Sequence, residues 1–409
     1  MNCRFCNTKL EHVFIDLGHQ PPSNSFLTEE QLDEPETTYP LKVFVCDKCF
    51  LVQIPESKKA SEIFKEDYVY FSSQSPSNVS HAKEFADIMI KRFNPKSVLE
   101  IGSNDGYLLH WFKDRGCKVC GWEPSIGTAK IAIDSGIPTV TAFFGGKNLK
   151  LPFANKSDMP YKSDLICGLN VIAHQPDIND FVEGVRIALK PDGVAVFEFP
   201  HLKNLIEQRQ FDTIYHEHYS YFSFMSICTI FNNNGLCIFD VDEIPEHGGS
   251  LRIYAQHKER VHPESTKVAS LLGGEILDGI TSMNHYSGFQ YKVGKIKTDL
   301  VAFLIRQKSF GKAVFGYGAA AKGVTLLNTC GIKSDLLPLV VDRSPYKQGK
   351  YLPGSHIMVT SEDRIKFLKP EFILILPWNL RDEVEKQLVY AREWGAKFVT
   401  AIPELEIRG

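Results

Sequence analysis

No stretch of the 409 residues approaches the roughly 18 consecutive apolar residues that a bilayer-crossing helix needs, so no membrane association is expected. The opening residues, MNCRFCNTKLEH, lack the apolar core of a secretory leader, which points to the cytoplasm. Neither sign of charge dominates. The 46 Lys and Arg stand against 49 Asp and Glu, net −3, and no basic tract is present. Bulk attraction to nucleic acid or anionic lipid is therefore not expected. Internal repeats and low-complexity tracts are absent too. What remains is an ordinary globular composition, 43% hydrophobic and 23% charged, at a length that suits two or three domains. Ten cysteines in a reducing compartment read as thiols or metal ligands rather than as a disulfide framework.

Four of those cysteines form two CxxC pairs, Cys3/Cys6 and Cys46/Cys49. Each pair can put two thiolates on one ion, and four thiolates make a closed tetrahedral zinc site with no open position for catalysis. A structural zinc is the expectation, with a loop between the knuckles. Residues 1–56, rich in proline, read as a small module not held by a hydrophobic core. Cys117 and Cys120 straddle a strand, where alternation sends neighbours to opposite faces, and read as packing.

From Ser97 the chain alternates strand and helix, the pattern of a parallel sheet covered on both faces. "SVLEIGSNDGYLLHWF" reads as strand, Gly-rich turn and helix, "KVCGWEPS" as the next strand, and "SDLICGLNVIAH" as a strand buried on both faces. Gly102 and Gly106 allow close approach of a ligand to the backbone. Glu100 and Asn104 lie in the same turn, and Glu123 ends the following strand, where an acid can accept from a ribose diol. This ExGxxxG form with a following acid looks like the S-adenosylmethionine fingerprint of class I methyltransferases. Asn170, in "LNVIAHQPD", ends the fourth strand and joins the set. A nicotinamide site is the alternative. A second turn of this kind, "AVFGYGAAAKG", is followed by Asp342 at a strand end. It reads either as a second nucleotide site or as a Rossmann-like turn that binds nothing. Lys322 there could meet a phosphate or stay solvated.

"YHEHYS", residues 215–220, places two tyrosines, two histidines and a glutamate in six positions. It follows the strand "VAVFEFPHL" and a short helix, and so lies at the carboxyl edge of the sheet, where open α/β sheets bind ligands. Histidine suits proton abstraction near neutral pH, a neighbouring glutamate can tune it, and tyrosine hydroxyls can donate to a developing oxyanion. For any one of these residues a polar surface loop is the alternative reading.

With these motifs assembled, the chain resembles the deoxysugar C-methyltransferases, in particular the C-3 methyltransferases acting on thymidine-diphosphate-linked 4-keto-6-deoxy sugars. The likeness runs through the paired cysteines, "EIGSNDG", "NVIAHQPD", "FEFPHL…FDTIYHEHYSYFS", "HGGSLR" and "GYGAAAKG…VVDRSPYKQGKYLPGSHI". It implies a zinc-binding module at 1–56, a class I, Rossmann-like S-adenosylmethionine domain at 57–256, and a Rossmann-like nucleotide-sugar-binding domain at 257–409. It also implies that His218 is the base, that Tyr215 and Glu217 line the same pocket, that His174 lies near the reacting centre, and that a tyrosine of "DYVYFSS", Tyr70 in preference to Tyr68, reaches the sugar. C-5 or O-methylation, a nicotinamide-dependent sugar oxidoreductase and a zinc-knuckle protein that binds nucleic acid are the rival readings.

Overall fold

The computed structural model describes residues 1–63, 71–149, 162–259 and 262–409. The chain divides into two compact units. The first holds Met1–Glu11, Val45–Leu202 and Tyr219–His285, and the second holds His12–Phe44, Lys203–His218 and Tyr286–Gly409. This partition follows compactness, whereas the boundaries at 56 and 256 follow sequence motifs. The two differ chiefly because the stretch between the cysteine pairs joins the second unit.

The first unit is built on a seven-stranded sheet, ordered Leu236–Ile244, Ser250–His257, Leu189–Pro200, Ser163–Leu169, Ser97–Ile101, Lys118–Trp122, Thr139–Val140. The last five run parallel to one another, and the first two pair antiparallel at one edge. All five residues of Ser97–Ile101 are buried, as a strand covered on both faces requires. One cover is the helix Pro76–Phe93. Ser75 caps it by accepting from Asn78 N, Pro76 opens it, and left-handed Asn94 closes it. Ala82, Phe85, Ala86 and Met89 form its buried stripe and pack with Leu109, Phe112, Val98 and Leu165.

One expected strand is shorter than it reads. The strand ends at Leu169, and "VIAH" continues as a short 3-10 turn, Ile172–His174. Asn170 breaks it by taking φ +57°, a left-handed conformation that Asn tolerates better than most residues. The carboxyl ends of the parallel strands thus carry Gly102, Glu123 and Asn170 along one edge of the sheet.

The second unit contains a six-stranded sheet ordered Met358–Thr360, Leu339–Val341, Val314–Tyr317, Phe372–Ile375, Lys397–Thr400, Glu406–Arg408, parallel except for the last strand. The strand His12–Gln20, lying beside Tyr39–Val45, belongs to this unit. Phe14 stacks on Phe289 at 4.7 Å between ring centroids and meets Tyr286 edge-on at 6.2 Å. This corrects two expectations: the stretch between the knuckles is not a plain loop, and it does have a hydrophobic anchor. Its apolar partners lie some 270 residues further along the chain.

Candidate active site and metal centre

The sulfurs of Cys3, Cys6, Cys46 and Cys49 all lie within 4.8 Å of one another, the one such metal-competent group of Cys, His, Asp and Glu among the described residues. Cys3–Cys49 and Cys6–Cys46 are each 3.6 Å apart and Cys6–Cys49 is 3.5 Å. Four sulfurs at about 2.3 Å from a tetrahedral ion would stand about 3.8 Å apart, so the set is close to the size zinc needs. The two knuckles are built alike. Asn7 N donates to Cys3 O and Phe50 N to Cys46 O, and both Asn7 and Phe50 are left-handed. Gln53 Nε2 donates to Cys3 Sγ at 3.2 Å, which favours a thiolate there. Cys117 and Cys120 belong to no such cluster among the described residues.

Between the first two cysteines' positions stands Arg4, whose guanidinium ties the knuckles to neighbouring backbone. Nη1 donates to Pro176 O at 2.9 Å, Nη2 to Ile54 O, and the group lies 5.3 Å from the centroid of the Tyr219 ring. Asn179 Nδ2 reaches Phe5 O. Tyr219 in turn donates its N–H to Ala173 O at 2.8 Å. The residue following His218 is therefore tied to the residue preceding His174.

At the Gly-rich turn, Gly102 has φ +69°, and a Cβ there would come within 2.8 Å of the Val171 side chain. Both oxygens of Glu123 accept backbone N–H groups, from Asn104 and Ser125, each at 2.9 Å. Ser72 N donates to Asn104 Oδ1, and Ser73 N to Asp105 Oδ2. Glu100, Asp105 and Glu123 are 1%, 7% and 5% exposed, and none pairs with a cation among the described residues. Burial, then the neighbouring Asp105 and Glu123, push the Glu100 carboxyl well above its usual range. Burial likewise raises Glu123 against its N–H donors. A close-set group of buried carboxylates with spare acceptor atoms fits a cationic ligand that also carries a diol. S-adenosylmethionine, with a sulfonium, an ammonium and a ribose, is such a ligand.

In the second unit the YHEH run is held in one arrangement. His218 Nδ1 lies 2.9 Å from Thr213 O, and its Nε2 lies 2.8 Å from the Tyr215 hydroxyl. A carbonyl can only accept, so Nδ1 carries a proton; in the neutral ring the lone pair is then on Nε2, where it accepts from the Tyr215 hydroxyl. Glu217 Oε1 accepts from Asn24 Nδ2 at 2.7 Å, and the His216 ring meets Tyr39 edge-on at 5.9 Å. His216, Glu217 and His218 are 2%, 2% and 7% exposed, so this is not a solvated surface loop. His174 closes its 3-10 turn in the first unit through its N–H to Val171 O. Tyr68 and Tyr70 lie outside the described residues.

The second Gly-rich turn is occupied by the protein itself. Asp342 accepts from Ala319 N at 2.7 Å and Ser344 N at 2.8 Å and faces Lys347 at 3.6 Å. A Cβ on Gly318 would strike Pro377. Lys322 lies 3.4 Å from Asn379 Oδ1 and 5.1 Å from the Trp378 ring centroid, while the Trp378 indole donates to Asp212 at 2.8 Å. Thr325 Oγ1 donates to Ile214 O. The start of this helix thus grips the segment Asp212–Ile214 that leads into YHEH. Sequence reading missed Asp212, Trp378, Arg4 and Asn24; the acid in "FDT", three residues before Tyr215, was the available signal.

Asp212 is fully buried, and burial lifts its carboxyl to about 6 against the pull of Lys322. A carboxyl whose folded pKa is raised favours the protonated folded state, so stability declines as pH rises from about 3.9 through 6. Asp212→Asn keeps an acceptor for Trp378 and removes this titration. Between pH 5 and 7 the wild type should lose about 1 kcal/mol more than the variant, read from paired urea unfolding curves. Parallel pH profiles would show that the Asp212 carboxyl is not raised in the folded protein and is already ionised there across this range.

Comparison with known proteins agrees with this architecture. Residues 3–64 match a family model described as "Putative zinc binding domain", 79–241 one described as "Methyltransferase domain", and 245–403 one described as "C-methyltransferase C-terminal domain". The C-methyltransferase NovU of Streptomyces niveus is 33% identical over 408 residues, covering 98% of this chain and 95% of that protein. Among solved structures, the PH0226 protein of Pyrococcus horikoshii OT3 is 15% identical, covering 46% of this chain and 95% of its own, at a TM-score of 0.38. Magnesium protoporphyrin IX methyltransferase of Synechocystis PCC 6803 is 13% identical, covering 44% and 83%, at 0.34. No helix among the described residues is long and apolar enough to cross a membrane. With its cysteine cluster, its donor-type turn and a third of its residues shared along nearly the whole of a C-methyltransferase, the chain belongs to the S-adenosylmethionine-dependent C-methyltransferase family.

Proposed function

We propose that this enzyme methylates the carbon beside the ketone, C-3, of a thymidine-diphosphate-linked 4-keto-6-deoxy sugar, with His218 as the base. The observation that carries the reading is the placement of the buried His218 ring, which donates from Nδ1 to Thr213 O and holds Nε2, the atom that bears the lone pair in the neutral ring, 2.8 Å from the Tyr215 hydroxyl. A C–H next to a ketone is acidified. His218 Nε2 takes that proton, and the electrons move onto the ketone oxygen as an enolate. The Tyr215 hydroxyl, already a donor beside Nε2, is placed to turn its proton towards that oxygen. Glu217, anchored by Asn24, lines the same pocket in this reading. His174 and Tyr70 are proposed as further residues that act on the sugar. When bound, S-adenosylmethionine supplies an electrophilic methyl group. That methyl group would go to the enolate carbon, with the donor released as S-adenosylhomocysteine.

Glu123 and Asn104 would hold the ribose side of the donor, while Glu100, Gly102, Gly106 and Asn170 line its remaining contacts. Cys3, Cys6, Cys46 and Cys49 would hold one structural zinc. The three parts, 1–56, 57–256 and 257–409, serve metal, donor and nucleotide-sugar in that order. A four-thiolate site suits a reducing, cytoplasmic compartment.

The test is mass spectrometry of a panel of nucleotide-linked keto sugars incubated with enzyme and S-adenosylmethionine. A gain of one methyl on the thymidine-diphosphate-linked 4-keto-6-deoxy sugar, carbon-bound and at C-3, is the expected product. Methylation on oxygen, or turnover of simple sugars without a ketone, would contradict the proposal.

A further inference from the structure

The motif HGGSLR, residues 247–252, has no part in the chemistry above, yet its geometry is costly to maintain. His247 takes φ +57°, and Gly248 and Gly249 follow at +90° and +109°. A left-handed histidine persists where its surroundings over-determine it, and such residues cluster at ligand sites. A run of charges holds this turn. Glu246 meets His81 Nδ1 at 3.0 Å, His81 Nε2 meets Glu198 at 2.7 Å, and Glu198 accepts from Arg252 Nε at 2.6 Å. Arg252 and Glu198 are direct partners across adjacent strands. Ser250 Oγ donates to Glu246 O at 2.8 Å.

The turn presents His247 to Asn170, the second left-handed residue of this edge. Asn170 N donates to Glu198 O, so both sides of the contact rest on the same glutamate. His247 Nε2 and Asn170 Nδ2 are 2.9 Å apart. An amide nitrogen can only donate, so His247 Nε2 accepts and its ring is neutral at that atom. The amide oxygen is thereby turned the other way. Asn170 Oδ1 is fully buried and has no hydrogen-bond partner among the described residues. The next residue, Val171, packs directly over Gly102 of the donor turn.

We infer that His247 is a positioning residue for the methyl donor: it locks the Asn170 amide so that Oδ1 faces, and accepts from, the ammonium of the donor's amino-acid portion. The inference rests on the reading of Asn170 as a donor-site residue and adds what aims it. Without His247 the amide is free to turn over and offer its NH2 to a cation, which repels it.

Calorimetry on the full chain tests this with two probes. S-adenosylhomocysteine carries the ammonium, and methylthioadenosine lacks the amino-acid portion. Asn170→Ala should weaken S-adenosylhomocysteine roughly 10- to 100-fold, the range for a hydrogen bond to a charged group. His247→Ala should weaken it about 5- to 10-fold, the double variant should be no worse than Asn170→Ala, and His247→Gln, which keeps an acceptor, should recover part of the loss. Methylthioadenosine should bind all four variants as it binds wild type. An equal loss for both probes would mean that the turn acts on the whole pocket, and would overturn the inference. Loss in Asn170→Ala without loss in His247→Ala would overturn it while sparing the donor-site reading of Asn170. Unchanged binding in Asn170→Ala would remove both.

Discussion

Cys46→Ser is expected to empty the metal site and to cost the enzyme much of its first unit. Four-thiolate zinc sites in small peptides supply about 10–16 kcal/mol, nearly all of it expressed as folding. Each knuckle is closed by a left-handed residue, Asn7 or Phe50, that the metal would hold in place. The damage should spread. Arg4, fixed between Cys3 and Cys6, reaches Pro176 O and the Tyr219 ring, and Asn179 holds Phe5 O. Metal analysis should fall from about one zinc per chain to near zero, and the melting temperature should drop by more than about 5 °C. Well-folded wild-type protein that carries no metal would show the cluster to be only a set of neighbouring thiols.

His218→Asn should abolish methylation while both ligands still bind. A positioned general base contributes about 10²–10⁴-fold, so the residual rate should fall in that range. Asn retains a donor for Thr213 O and much of the ring's volume, but offers no basic nitrogen beside Tyr215. His216→Asn should do far less, because His216 packs against Tyr39, whereas it is His218 Nε2 that stands beside the Tyr215 hydroxyl.

Local features were legible in the sequence because their physics is local. Each CxxC pair and the strand–turn–helix at Ser97 is a motif of a few residues, and the acid at Glu123 stands at the end of the very next strand. The structure brings the four cysteines and the donor-turn residues together as those patterns imply. Features set by distant partners were not legible. The stretch His12–Phe44 reads as part of a metal module, but Phe14 finds Phe289 and Gln20 finds Thr329. Asn24 fixes Glu217 across 193 positions, and Trp378 meets Asp212 across 166. Lys322 looked like a phosphate ligand or a solvated cation; it faces Trp378 and Asn379 because the turn it opens has become a support for the YHEH segment. "SDLICGLNVIAH" reads as one strand, since periodicity carries no sign of the left-handed break at Asn170.

In the proposed mechanism, proton abstraction by His218 does not depend on methyl transfer, which makes it separately measurable. Wild-type enzyme in heavy water, given the keto sugar and S-adenosylhomocysteine in place of the methyl donor, should exchange the proton beside the ketone for deuterium, followed by mass spectrometry or proton NMR. His218→Asn should lose that exchange by at least about 10²-fold, in step with its loss of methylation. Full exchange in His218→Asn with methylation gone would assign the proton to another group, and near-normal methylation in that variant would contradict the account altogether.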